Sequence, residues 1–243
     1  MKLSVIIPSY NRHDLAKIHV RECMNSERVP DEIIVVNDGG PEDLRDKLKE
    51  LNLKTKVIYA RIREDITWNY NGACNLGFWL SGGDAISLED VDHIPLRTTY
   101  GTALSALEND PALMRVCYAR QWVWLEEALS KPFDEWKPWG KLGPNQMVTT
   151  IRRDMYIKLK GQDERFCGRY GWMAYDWASR YRRLTGFKST RIGNFYIIKE
   201  GSEPNMKRGM SPENLKYYRE NARSPHIHSS HGILNFTYDY EVL

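Results

Sequence analysis

The chain has no apolar run near the roughly 20 residues that a membrane-spanning helix needs. Cysteine is scarce: Cys23, Cys74, Cys117 and Cys167 are far apart and form no Cys-x-x-Cys pair, which excludes a zinc knuckle and a disulfide framework. An excess of one charge sign is also missing, since 35 Lys and Arg stand against 32 Asp and Glu for a net charge of +3. No nucleic-acid recognition motif accompanies the basic residues, so a nucleic-acid partner is not expected. What is present is a 42% hydrophobic sequence of 243 residues, enough to bury one sizeable core. It opens directly on the strand-like Lys2-Leu3-Ser4-Val5-Ile6-Ile7, which makes a soluble intracellular protein with reduced thiols the expectation, cytoplasmic or peripheral at the inner membrane face.

The small net charge conceals an asymmetry. Residues 150–223 hold 17 Lys and Arg against 8 Asp and Glu, a local +9, so the rest of the chain carries −6. Such a segment attracts an anionic ligand, or it is a set of solvated helix faces.

Strand and helix patterns alternate through the first hundred residues. Residues 3–8, 32–36, 56–59 and 84–88 read as strands, and residues 14–25, 42–51 and 69–81 as helices, the last stopped by Gly82-Gly83. This alternation predicts an α/β fold with a parallel sheet and helices on both faces. Ligands of such sheets bind beyond the carboxyl ends of the strands. Three polar clusters fall there: Pro8-Ser9-Tyr10-Asn11-Arg12, Asn37-Asp38-Gly39-Gly40 and Asp90-Val91-Asp92-His93. The Tyr10 ring can cover a planar base, the Asp38 carboxylate can accept a hydrogen bond from a ring N–H, and the paired carboxylates Asp90 and Asp92 suit Mg²⁺ or Mn²⁺ and the phosphates such ions carry. Each has a plainer reading, as packing or as a solvated turn.

Taken in order, Ser4-Val5-Ile6-Ile7-Pro8-Ser9-Tyr10-Asn11-Arg12, Ile33-Ile34-Val35-Val36-Asn37-Asp38-Gly39, Asn71-Gly72-Ala73-Cys74-Asn75-Leu76-Gly77 and Asp90-Val91-Asp92 resemble the motifs of family 2 glycosyltransferases with the GT-A fold. The resemblance implies a Rossmann-like, mostly parallel sheet flanked by helices, in a single domain over residues 1–200 with a C-terminal extension over 201–243. Residues 1–95 would form the half that binds the nucleotide sugar, and residues 96–200 the acceptor and catalytic half. Pro8, Tyr10, Arg12, Asp38, Asn71 and Asp90 would contact the nucleotide, and Asp92 the metal. One departure is Cys74, where the family often has Arg in Ala-Arg-Asn-x-Gly.

The second half continues the resemblance. Direct displacement at an anomeric carbon needs a base opposite the leaving diphosphate. Gly161-Gln162-Asp163-Glu164-Arg165-Phe166 followed by Trp172-Met173-Ala174-Tyr175-Asp176-Trp177 is similar to the family's Gly-Phe-Asp-Glu-x-Phe and Trp-Gly-Gly-Glu-Asp pair. That places Asp176 at the catalytic base, and Trp172 and Tyr175 at the acceptor, with Tyr175 replacing the usual Glu. Asp176 reads equally as the cap of a helix over residues 177–184. A further metal ligand is expected from His226, His228 or His231, with His228 preferred. Trp122, Trp124, Trp136 and Trp139 are a candidate acceptor platform or core packing, residues 131–145 a loop, and residues 207–223 a flap or docking helix.

The expectation is a metal-dependent (Mn²⁺ or Mg²⁺) inverting hexosyltransferase moving a sugar, most readily from a uridine diphosphate sugar, to a glycan, lipid-linked or protein hydroxyl. A sugar-phosphate nucleotidyltransferase is the first rival, but the loop after the first strand lacks its Gly-rich, Arg- and Lys-bearing sequence. A non-catalytic nucleotide-sugar-binding module is the second, and the joint presence of Asp92 and Asp176 argues against it.

Overall fold

The computed structural model describes residues 1–186, 189–200, 209–224 and 236–243, together with the backbone but not the side chains of 144–147. Four strands, β1 (Leu3–Ser9), β2 (Glu32–Asn37), β3 (Lys56–Ile62) and β4 (Ala85–Leu88), form a parallel core in the order β4-β1-β2-β3. The helices between them are α1 (His13–Met24), α2 (Arg45–Lys49) and α3 (Tyr70–Leu80). Residues 42–51 were expected to be one helix, yet only α2 forms. The Asn37 side chain donates to the Glu42 carbonyl, and the Tyr59 hydroxyl accepts from the Leu44 N–H, so these side chains rather than a helical ladder engage the backbone there.

The strands alternate faces, which divides the core in two. Leu3, Val5, Ile7, Ile33, Val35 and Val57 pack with Ala16, Val20 and Cys23 of α1 and with α4 (Thr99–Asn109), whereas Ile6, Ile34, Val36 and Ile58 pack under Ala73, Cys74 and Leu76 of α3. Gly77 permits the second packing, since a Cβ there would lie 2.3 Å from Ile6 Cγ2.

Beyond Asp92 the sheet continues with mixed polarity. β5 (His93–Pro95), β6 (Arg115–Trp124), β7 (Trp139–Arg152) and β8 (Ser189–Lys199) complete the order β5-β8-β6-β7-β4-β1-β2-β3-β9, where β9 is Tyr238–Val242. β7 runs antiparallel to both β4 and β6, so β6 and its parallel partner β8 point the same way as the core strands. Residues 131–145 are therefore not wholly a loop: after a 3₁₀ turn at Phe133–Glu135, β7 begins at Trp139 and pairs it with Trp122. The remaining helices are α5 (Leu125–Ser130), α6 (Arg153–Lys158), α7 (Met173–Thr185) and α8 (Pro212–Arg223). α8 docks on α7, and β9 closes the far edge of the sheet against β3. No helix among the described residues is long and apolar enough to cross a membrane.

Candidate active site

The carboxyl ends of the parallel strands bring the three polar clusters to one edge. The pairing of Ser9 with Asn37 carries the chain into a bond from the Asp38 N–H to the Ser9 carbonyl, 2.9 Å, and the Glu89 N–H reaches the Ile6 carbonyl at 3.0 Å. The loop from Asp90 to Asp92 thus emerges beside Pro8. Gly39 makes the neighbouring turn with φ +74°, a conformation that favours glycine, and a Cβ there would meet the Glu64 carbonyl.

Asp38 is buried, and its Oδ1 has no hydrogen-bond partner among the described residues. Burial raises its carboxyl to about 7, with Asn69 opposing the rise and Asp65 adding to it. Tyr10 stands 43% exposed at the same edge, its hydroxyl 3.4 Å from Asp65 Oδ2. Arg12 is ion-paired with Glu200 and lies close enough to Asp92 to stabilise that carboxylate. Asn71 is turned to a structural task, donating to the Asp163 carbonyl at 2.7 Å while its buried Oδ1 has no hydrogen-bond partner. With Tyr70, Leu88, Thr149, Gln162, Met173, Ala174 and Trp177 it lines a small open recess.

The carboxylate pair gains a third member that sequence reasoning left without a role. His93 Nδ1 lies 2.6 Å from Asp92 Oδ1 and 3.7 Å from Asp90 Oδ2. Burial favours neutral His93, but the two carboxylates outweigh it and raise the imidazole. Burial and then the charge of Asp92 raise Asp90. For Asp92 the burial effect is overcome by the charge and hydrogen bond of His93, which hold it low. Asp90, Asp92 and His93 each offer one ligand atom, all within 4.8 Å of one another, and His93 Nε2 is buried without a hydrogen-bond partner among the described residues. Two carboxylates and an imidazole fit a divalent cation such as Mn²⁺ or Mg²⁺. His226, His228 and His231 lie outside the described residues.

Behind this loop sits a buried network absent from the sequence expectations. Glu89 Oε2 meets His19 Nε2 at 2.7 Å and accepts from the Tyr100 hydroxyl at 3.0 Å, Oε1 accepts from Ser87, and His19 Nδ1 lies 3.3 Å from the Val91 carbonyl. The network joins α1 and α4 to the backbone of the carboxylate loop. Its only sequence signal is the position of Glu89, next to Asp90 at the exit of β4.

Asp176 lies in the first turn of α7, which begins four residues before the expected start. Its carboxylate is buried: Oδ2 accepts from Arg180 Nε at 2.7 Å and Oδ1 from Asn221 Nδ2 of α8 at 2.7 Å. Asn221 also donates to Asp163, which is paired with Arg165. The Asp163-Glu164-Arg165-Phe166 motif and Asp176 are thus tied together through α8, and in this arrangement Asp176 does not face solvent. Trp172 caps α7 with φ 68° and stacks on Tyr218 with centroids 5.4 Å apart, while Tyr175 beside it is exposed. Trp136 belongs to the core with Phe133 and Tyr196, so it is not part of an open platform.

The sequence profile of Glycosyl transferase family 2 matches residues 4–177, well over half of the chain. The chain belongs to glycosyl transferase family 2. Over 94 residues this family 2 chain is 32% identical to a hyaluronan synthase of Pasteurella multocida, covering 38% of the chain and 10% of that protein. Over 109 residues it is 28% identical to a chondroitin synthase of Pasteurella multocida strain Pm70, covering 44% and 11%. The matched stretch spans about a tenth of these relatives' length. Among solved structures, S. aureus TarS 1–349 in complex with UDP-GlcNAc superposes with a TM-score of 0.70 at 11% identity, over 91% of this chain and 66% of that one. The mannosyltransferase PcManGT from Pyrobaculum calidifontis, in complex with GDP-Man and Mn²⁺, gives 0.62 at 13% identity over 90% and 68%. These likenesses establish the GT-A fold.

Proposed function

We propose that this family 2 chain is a metal-dependent, inverting glycosyltransferase that moves a hexose from a nucleotide diphosphate sugar, with uridine the favoured nucleoside, to an acceptor hydroxyl. The observation that carries the reading is the cluster of Asp90, Asp92 and His93 on the same sheet edge as Tyr10 and the unpartnered Asp38 oxygen. The complexes of structural neighbours with UDP-GlcNAc and with GDP-Man and Mn²⁺ support it.

In this reading Tyr10 covers one face of the base, Asp38 accepts from its ring N–H, and Asp90 reaches the ribose or orders the loop. Asp90, Asp92 and His93 hold the cation, with the C-terminal histidines as the other candidates. A bound divalent cation supplies Lewis-acid stabilisation of the charge that develops on the leaving diphosphate. The network of His19, Glu89 and Tyr100 keeps the loop in place, so its carboxylates need no reorganisation during the reaction.

Asp176 is the proposed base. The acceptor hydroxyl takes the place of the Asn221 amide at Oδ1 and gives its proton there while its oxygen attacks the anomeric carbon, with Arg180 retaining Oδ2. Replacement of Asp176 by Asn should abolish transfer and leave donor affinity within about twofold. Full transfer by that variant would remove Asp176 from the reaction. Glycan, lipid-linked or protein acceptors all fit a hydroxyl nucleophile.

A further inference from the structure

Across the sheet from the carboxylate loop lies a stack of three indoles that the donor site does not use. Trp122 and Trp139 pack at 6.1 Å and 27°, and Trp139 and Trp124 at 4.7 Å and 23°. Trp124 ends the stack with 39% of its surface exposed. Two cations border it: Arg120 Cζ lies 5.0 Å from the Trp122 ring, and Lys199 Nζ lies 5.7 and 5.5 Å from the rings of Trp122 and Trp139. Among the described residues neither cation has a carboxylate partner, and Glu200, next to Lys199, is paired with Arg12 instead.

Strand register fixes where this stack stands. His93 and Trp122 both pair with Ile197, one from each side of β8, so their backbones are two strand spacings apart, about 10 Å. The Ile198 N–H bonds the Asp92 carbonyl at 2.8 Å, and Lys199 pairs with Trp124. The stack therefore borders the place where a diphosphate held by Asp90, Asp92 and His93 would end and an attacking group would enter.

An indole stack with one exposed end and cations over its other two rings suits one ligand chemistry well. The C–H faces of a pyranose carry partial positive charge and pack on the electron-rich indole, and a carboxylate on the same ring pairs with an adjacent ammonium or guanidinium. A neutral sugar would offer Lys199 and Arg120 no charge to pair with, and an aliphatic chain would use neither the cations nor the ring edges. We propose that the stack of Trp122, Trp139 and Trp124, with Lys199 and Arg120, is the acceptor subsite and that it takes a saccharide bearing a carboxylate. This deepens the transferase reading above and rests on it for the word acceptor.

The test compares a tetrasaccharide containing hexuronic acid with its carboxyl-reduced counterpart of the same length, read by quenching of tryptophan fluorescence on the full chain. The acidic sugar should bind on the order of tenfold more tightly, and the preference should shrink as salt rises from 50 to about 500 mM. Lys199→Gln with Arg120→Gln should remove the preference, whereas Trp124→Ala should weaken both sugars, with the melting temperature as the folding control. Equal affinity of the two sugars for the unmodified protein would overturn the proposal without any variant. Unchanged binding by a folded Trp124→Ala variant would also overturn it. Binding of UDP with Mn²⁺ is measured separately: its absence, with the acidic preference intact, would sink the transferase reading and leave the saccharide site standing.

Discussion

The buried Asp38 carboxyl makes a demanding prediction. Its proton affinity rises from the ordinary 3.8 to about 7, chiefly through burial, so the folded protein holds a proton between these values that the unfolded chain releases. Asp38 therefore costs no stability below pH 3.8, and the cost grows as pH climbs to about 7. At about 1.4 kcal/mol per pH unit, the full cost on the alkaline side is about 4 kcal/mol. Asp38→Asn keeps the shape and removes the charge. Urea denaturation of both proteins at pH 5 and pH 8 isolates the effect, because titrations elsewhere cancel in the comparison. Between pH 5 and pH 8 the parent should lose about 2.5–3 kcal/mol relative to Asp38→Asn, the part of the cost that falls in that interval. The same ionisation governs the proposed base contact: UDP affinity should rise about tenfold per unit below pH 7 and level off above it, a dependence that Asp38→Asn abolishes. Parallel stability curves for the two proteins would refute the reasoning, since a solvated Asp38 would give them.

Other residues carry their own expectations. Asn221→Ala removes the amide shared by Asp163 and Asp176 and should lower stability by about 1–3 kcal/mol, measured by chemical denaturation. Asn221→Asp should cost more, because it sets a third carboxylate beside those two. Gly77→Val drives a side chain into Ile6 and should cost about 1–3 kcal/mol or more by the same measurement, with the far-ultraviolet spectrum retained. Glu89→Gln leaves His19 and Tyr100 with an amide in place of a carboxylate and should weaken Mn²⁺ binding about 10–100-fold by calorimetry while the melting temperature changes little.

Much of this was legible in the chain. Near-continuous apolar runs in β1, β2 and β3, with helical periods between them, announced the parallel core, because each strand must bury both faces. The clusters at Tyr10, Asp38 and Asp90 converge on one edge for the same reason: parallel strands all end there. The polarity reversal at β7 was not legible, since Trp139, Gly143 and Pro144 look like loop residues until they pair with Trp122, Arg120 and Ala119. His93 had no assigned role because its meaning depends on a turn that places Nδ1 against Asp92. The burial of Asp176 was equally hidden, since Asn221, 45 residues away, comes to it only through the docking of α8. Trp136 and Trp124 look alike in sequence and differ only in the elements that cover them.

The proposed function requires that Asp90, Asp92 and His93 hold a divalent cation which a sugar nucleotide engages. Its most direct test is Mn²⁺ titration in the presence and absence of UDP-sugars, with release of UDP from a panel of donors followed in parallel. The expected result is saturable Mn²⁺ binding, tightened by UDP, slow Mn²⁺-dependent release of UDP from at least one donor, and loss of both in Asp92→Asn. Undiminished Mn²⁺ binding and UDP release in a folded Asp92→Asn variant would contradict it.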